Sequence, residues 1–173
     1  MKKTGRILTI VIGIIFLISG CYRIYRAFTN DADKPAKVEA SEMISDVVSD
    51  KDGVDFCVTN VENVKSVGSG YSELTTDNNF VVVTIKIVNN SNEPYNVNVG
   101  RFLLLCNGAE YEYDSESILS VENVMWMDEI NPGITKEYKI VYETPSSTDT
   151  DEYKLKIQPV NLSDRDSVYI TLK

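Results

Sequence analysis

Apolar and polar positions follow three successive rhythms along this chain. Residues 7–18 form an unbroken uncharged run rich in Ile and Leu. Further on, Ala40, Met43, Ile44, Val47 and Val48 recur at spacings of three and four, which predicts a short helix over residues 38–48. From residue 53 the period drops to two. Val54, Phe56, Val58, Val61 and Val64 predict a first strand with a bulge near Asn60. In residues 80–88, Val81, Val83, Ile85 and Ile87 alternate with Val82, Thr84 and Lys86, and the Asn/Ser/Pro-rich residues 89–94 end the strand. Strands over 95–99 and 102–106 follow. Asn107-Gly108 then reads as a two-residue hairpin turn, since both residues tolerate positive φ, and 109–113 is the return strand. Residues 117–126 are apolar only at intervals. Pro132-Gly133 marks another turn, and strands over 135–142, 152–157 and 167–172 complete the series. About eight short strands with no helix-length interval between them predict an all-β, two-sheet antiparallel sandwich over residues 53–173.

The apolar run has a chemical context. Lys2, Lys3 and Arg6 precede it, and at 12 residues it suits the core of an export signal better than a spanning helix, which needs about 20. Leu17-Ile18-Ser19-Gly20-Cys21 closes it. Small residues before a cysteine resemble the bacterial lipoprotein signal. That resemblance implies diacylglycerol on the Cys21 sulfur and removal of residues 1–20. Ile18 stands where leucine is usual, and Tyr22 to Arg26 is bulkier and more basic than the sequence that ordinarily follows the cysteine. The alternative is an uncleaved anchor over residues 7–22, with Arg23 and Arg26 reaching the headgroups. Either reading attaches the N-terminus to the membrane and puts the rest on the extracytoplasmic side. Residues 21–52 then form a polar linker holding the short helix.

Charge is segregated along the chain. Residues 1–28 carry +5, residues 29–52 carry −4 and residues 53–173 carry −10, for a net −9. An acidic globular part repels phosphate backbones, so nucleic-acid binding is disfavoured. Histidine is absent, which removes imidazole-based nucleophile activation and the usual zinc sites. No catalytic residue, metal or cofactor is therefore expected. Asp50, Asp52 and Asp55 around Gly53 share some carboxylate spacing with a calcium loop, but the full ligand series and its closing Glu are missing.

Cys57 and Cys106 are the two cysteines of the folded part. Export would permit a bridge, yet alternation puts Cys106 with Phe102 and Leu104, and Cys57 opposite Phe56 and Val58. Buried free thiols are the alternative. Asp128 and Glu129 near Trp126 could form an acidic platform for a carbohydrate, or simply a loop beside a packed tryptophan. Asn89-Asn90-Ser91 and Asn161-Leu162-Ser163 have the form of glycosylation sequons.

Three segments taken in order carry a wider resemblance: FVVVTIKIVNNSNEP at 80–94, FLLLCNGAEY at 102–111, and INPGITKEYKIVYETP at 130–145. Together they resemble a family of bacterial surface domains of unknown function, related in fold to a mycobacterial secreted immunoprotective antigen. The resemblance implies an immunoglobulin-like sandwich and brings no catalytic or ligand residues. The expected function is a non-catalytic cell-surface lipoprotein that binds a protein or envelope ligand. The alternative is a structural accessory subunit of an envelope membrane complex, held by an uncleaved anchor.

Overall fold

In the computed structural model, residues 45–146, 153–159 and 164–172 are described. Cys21, the export segment, residues 38–44 of the expected helix and Asn161 lie outside them. Ten strands follow in chain order: β1 (Val48–Ser49), β2 (Val54–Val67), β3 (Leu74–Asn89), β4 (Tyr95–Asn98), β5 (Phe102–Cys106), β6 (Ala109–Tyr111), β7 (Met127–Ile130), β8 (Thr135–Thr144), β9 (Tyr153–Ile157) and β10 (Val168–Leu172). Among the described residues the helical segments are short 3-10 turns. One antiparallel sheet has the order β1-β2-β3-β8 and the second β10-β9-β5-β6; β4 and β7 form a separate two-stranded ribbon. The chain is an immunoglobulin-like two-sheet sandwich.

Alternation builds its core. Val54, Phe56 and Val58 of β2, Val81, Val83, Ile85 and Ile87 of β3, and Ile140 and Tyr142 of β8 face Phe102, Leu104, Leu155, Ile170 and Leu172 from the other sheet. Each such side chain contributes about 1.5–3 kcal/mol when fully buried. The expected bulge is present, between Val58 and Asn60. It holds one extra residue, so the parity of β2 flips, and Val61 rather than Asn60 packs against the core. The reverse face of β3 is apolar too where it begins. Phe80 and Val82 join Val67 and Val141 in a second small cluster, against which Val121 packs from the irregular stretch before β7. That stretch also covers the edge of β8: the amides of Asp114 and Met125 donate to the carbonyls of Val141 and Lys139 (2.7 Å each), and the Lys139 amide donates to Asn123. The intermittent apolar pattern of residues 117–126 therefore belongs to a segment buried on one side without being a strand.

The linker boundary at residue 52 and the helix end at 48 are corrected. Val48 is extended, not helical: β1 pairs antiparallel with β2 (Val48 opposite Phe56), and Val48 packs against the core. Before it, Ser45 covers Cys57. The Ser45 Oγ accepts from the Val58 amide (3.0 Å), and the Ser45 amide donates to the Val58 carbonyl (3.3 Å). A pairing of two residues leaves no periodic trace in sequence, whereas the 3–4 spacing that ran into it does. Cys57 and Cys106 are separate free thiols, both buried, and only Cys106 belongs to the central core.

Asn107 and Gly108 have φ of 49° and 81°, as the hairpin between β5 and β6 requires. A Cβ on Gly108 would meet no atom within 4 Å, so any cost of substitution is backbone strain, not collision. Gly108→Val is expected to lower stability by more than ~1 kcal/mol in urea melts, and Ser146→Val in an exposed turn to stay within about 0.5 kcal/mol. Equal midpoint shifts would contradict this reading. A second expectation concerns the corrected boundary: a fragment starting at residue 53 should be less stable than one starting at Ser45 by more than ~1 kcal/mol, with Cys57 open to thiol reagents. Identical melts and thiol reactivity would show that residues 45–52 add nothing.

Candidate functional site

Four chain segments meet at the end of the sandwich where β3 stops, and one side chain ties three of them. Asn89 is fully buried. Its Nδ2 donates to the carbonyls of Glu93 and Ile130 (2.8 Å each), and its Oδ1 accepts from the Ser91 amide (3.0 Å) and hydroxyl (2.7 Å). Its backbone N–H donates to Ile134, and its carbonyl accepts from Gly133 at 2.7 Å. Both donors and both acceptor positions of the carboxamide are thus used. The Pro132-Gly133 turn, with Gly133 at φ 76°, lies against Asn89, whereas Asn107-Gly108 is at the far end of β5. The sequon at Asn89 is inaccessible.

The fourth segment is the Asp50–Gly53 turn. The Asp50 carboxylate accepts from the amides of Asp52 and Val54 (2.9 Å each), and burial raises its pKa against those bonds. The Asn90 amide donates to Gly53 O, and its side-chain Nδ2 to Asp55 Oδ2 (2.7 Å), while Ser49 donates to the other Asp55 oxygen. Lys51 pairs with Asp166 at 2.9 Å. The Asp50 and Asp55 carboxylates of the calcium-like stretch are therefore engaged by backbone and side-chain donors. Among the described residues no group of three or more His, Cys, Asp or Glu is placed to hold a metal.

Beside this knot sit two residues the sequence reading did not single out. Arg101 is 6% exposed. Its Nε donates to the Gln158 carbonyl (2.7 Å), a second guanidinium nitrogen donates to Asn96 O (3.1 Å), and its plane carbon lies 5.3 Å from the Tyr95 ring centre. Tyr95 is 7% exposed, edge-on to Phe56 at 6.0 Å. Its buried hydroxyl lies within reach of the Arg101 side chain. Burial pushes its pKa up to about 12, although the nearby Arg101 charge opposes the shift. The Asn90 Oδ1 is buried and has no partner among the described residues.

Tyr95 lines an open cleft of about 500 Å³, with Asp52 and Val54 on one side and Ser91 to Pro94 and Asn96 on the other. A narrow crevice on the far side of Asp52 is lined by Arg101, Gln158 and Asp166. Carboxylate, amide and hydroxyl groups share the cleft with the apolar surface of Val54, Pro94 and Tyr95, and Arg101 lies over the Tyr95 ring.

The other sequence candidates do not gather into a site. Asp128 accepts from Lys136 (2.6 Å) and the Tyr138 hydroxyl (2.7 Å), which lower its pKa to about 2. Its carboxylate thus clips β7 to β8. Trp126 is 42% exposed and packs edge-on against Tyr113 at 6.1 Å. Both thiols have raised pKa values through burial, the reverse of an activated nucleophile.

Residues 44–167 match a family described as domain of unknown function DUF4352. The chain belongs to this family. No curated protein is significantly similar to it. Solved structures show the same fold. A conserved hypothetical protein from Bacillus anthracis is similar at 17% identity and a TM-score of 0.59, over 76% of this chain and 95% of that one. The secreted protein MPT63 from Mycobacterium tuberculosis is similar at 12% identity and a TM-score of 0.52, over 82% and 99%. The candidate lipoprotein ycdA from Bacillus subtilis is similar at 17% identity and a TM-score of 0.55, over 76% of this chain. The match spans 38% of the length of ycdA. At these identities the likeness concerns fold. The DUF4352 match begins at residue 44, next to the first residue seen packing on the domain.

The Asn89 knot has a direct test. Asn89→Asp keeps the shape but turns two donors into acceptors facing the carbonyls of Glu93 and Ile130. A stability loss above ~2 kcal/mol at neutral pH is expected from urea melts. A loss below 0.5 kcal/mol, on the order of an ordinary surface change, would remove Asn89 from its role.

Proposed function

We propose that this DUF4352 protein is a cell-surface lipoprotein. In this reading it is held at the membrane through a lipidated Cys21, and its sandwich is a non-catalytic interaction module. The partner docks at the cleft beside Tyr95. The observation that carries the docking site is the open cleft of about 500 Å³ framed by the 50–53 and 91–94 turns. The turns that frame the cleft are braced by Asn89 and Asp50, so the surface is preorganised for binding. The non-catalytic reading draws on the absence of histidine and on thiols whose pKa values are raised. The surface reading draws on the signal ending at Cys21 and on the description of ycdA as a candidate lipoprotein.

Two measurements test it. Intact mass of the membrane-extracted protein should show residues 1–20 removed and acyl mass on Cys21; a species retaining residues 1–20 without acyl mass would establish the uncleaved anchor. A photocrosslinking residue in place of Asn92 should trap one defined partner in intact cells, while the same residue in place of Glu116 should not. Absence of any Asn92-dependent product would remove the cleft as the docking site.

A further inference from the structure

The end of the sandwich opposite the cleft carries the two most exposed large apolar side chains among the described residues, Tyr71 and Leu119. Tyr71 stands in the 3-10 turn Gly70–Ser72, within the hairpin that joins β2 to β3, and Leu119 closes the 3-10 turn Glu116–Leu119. The two turns abut. Gly68 (φ 84°) packs so closely between them that a Cβ there would meet the Ser72 carbonyl oxygen at 2.7 Å and the Ser120 carbonyl oxygen at 2.8 Å. At the base of the hairpin, Val67 and Leu74 share a buried apolar cluster with Val121. Tyr71 and Leu119 therefore project from neighbouring turns whose bases are packed together. The path of the chain bears on what this end faces. β1 runs antiparallel to β2, with Val48 opposite Phe56 and the Ser45 amide donating to the Val58 carbonyl. Followed backwards from Val48 to Ser45, the chain thus heads along β2 toward the hairpin end. The 24 residues of 21–44 can reach about 80 Å when extended, against roughly 30 Å from Val58 to Val67. The cleft end instead presents Asp52 and Glu93 and one exposed large apolar side chain, Ile134.

We propose that the hairpin end of the sandwich rests on the lipid bilayer, with Tyr71 and Leu119 entering its interface and the cleft directed away from it. This rests on the reading of the N-terminus as held at the membrane. Tyrosine suits the interface because its ring is apolar while its hydroxyl reaches the headgroups. Leucine is driven in by the removal of apolar surface from water. Two side chains alone bind weakly, but a tether keeps the domain at an effective concentration on the order of millimolar, so weak contact suffices to orient it. Charge gives no attraction: Glu73 and Glu116 stand beside the two side chains in sequence, and the domain as a whole is acidic. Apolar contact therefore acts against mild repulsion from anionic lipid.

The test uses the membrane-extracted full chain, reconstituted in phosphatidylcholine vesicles, with a dansyl amino acid in place of Ser69 or of Asn92. Phosphatidylcholine brominated in its acyl chains should quench position 69 at least about threefold more than position 92. Tyr71→Ser with Leu119→Ser should bring position 69 down to the level of position 92 while melting in urea like the parent, since both side chains are exposed. Met127→Ser with Tyr169→Ser, an exposed apolar pair elsewhere, should leave the quenching unchanged. Phosphatidylglycerol added to the vesicles should lower it. Equal quenching at the two positions, or quenching at 69 that survives the Tyr71 and Leu119 changes, would overturn the proposal. So would a rise with phosphatidylglycerol, which would mark attraction by charge, or a photocrosslinker in place of Ser72 that traps a protein instead of lipid. If intact mass shows residues 1–20 removed and no acyl chain, the membrane attachment itself is wrong. An attached chain with no quenching at 69 removes the orientation alone and leaves the attachment and the cleft standing.

Discussion

The last residue of β3 is where the sandwich is closed, and the physical constraint there is that a buried amide must satisfy every polar atom it carries. Asn89 meets it with four side-chain bonds and two backbone bonds, reaching the 91–93 turn, the end of β7 and the Pro132-Gly133 turn. A ladder hydrogen bond joins two strands. This carboxamide joins three segments and fixes the direction in which each leaves the sheet. Glutamine would carry the same groups one methylene too far, and aspartate would bring repulsion to two carbonyls. The network has one good occupant, so the geometry of the whole end depends on it.

Everything around the cleft inherits that rigidity. The 91–94 turn is held from below by Asn89, and the 50–53 turn is held by Asp50 capping Val54 and by Asn90 bonding Gly53. Arg101 locks the start of β5 to the end of β9, since its side chain binds the Gln158 carbonyl while its own carbonyl accepts from the Gln158 amide at 2.8 Å. The buried guanidinium is solvated by carbonyls and an aromatic face in place of a directly bonded carboxylate.

Period-two alternation made most of the sandwich legible before any coordinates. β5 was readable to its end residues because the Asn107-Gly108 turn stops it, and the bulge near Asn60 was readable because the apolar parity changes there. Other elements left no such mark. β1 is two residues long, and β7 (MDEI) is polar at two of its four positions and exposed at three, since only Ile130 of this strand is buried. The three motif segments were visible as a set, but not the reason for their order. Asn89 is 41 residues from Ile130, and Arg101 is 57 from Gln158. A polar residue whose partners are that distant looks in sequence like any turn asparagine or surface arginine.

Tyr95 shows why the site was the least legible part. In sequence it is one of ten tyrosines, and the β-propensity of that side chain accounts for its place at the start of β4. Only burial together with partner geometry separates it from Tyr142, whose equally buried hydroxyl donates to the Phe102 carbonyl at 3.3 Å. The same residue type thus meets a backbone carbonyl in the middle of the core and a buried guanidinium at its end. Phenylalanine at position 95 would fill the same space but take that oxygen away from the Arg101 guanidinium. What distinguishes the two is the charge beside one of them, and that charge is placed by the Gln158 and Asn96 carbonyls that hold Arg101, contacts that no local pattern of residues reveals.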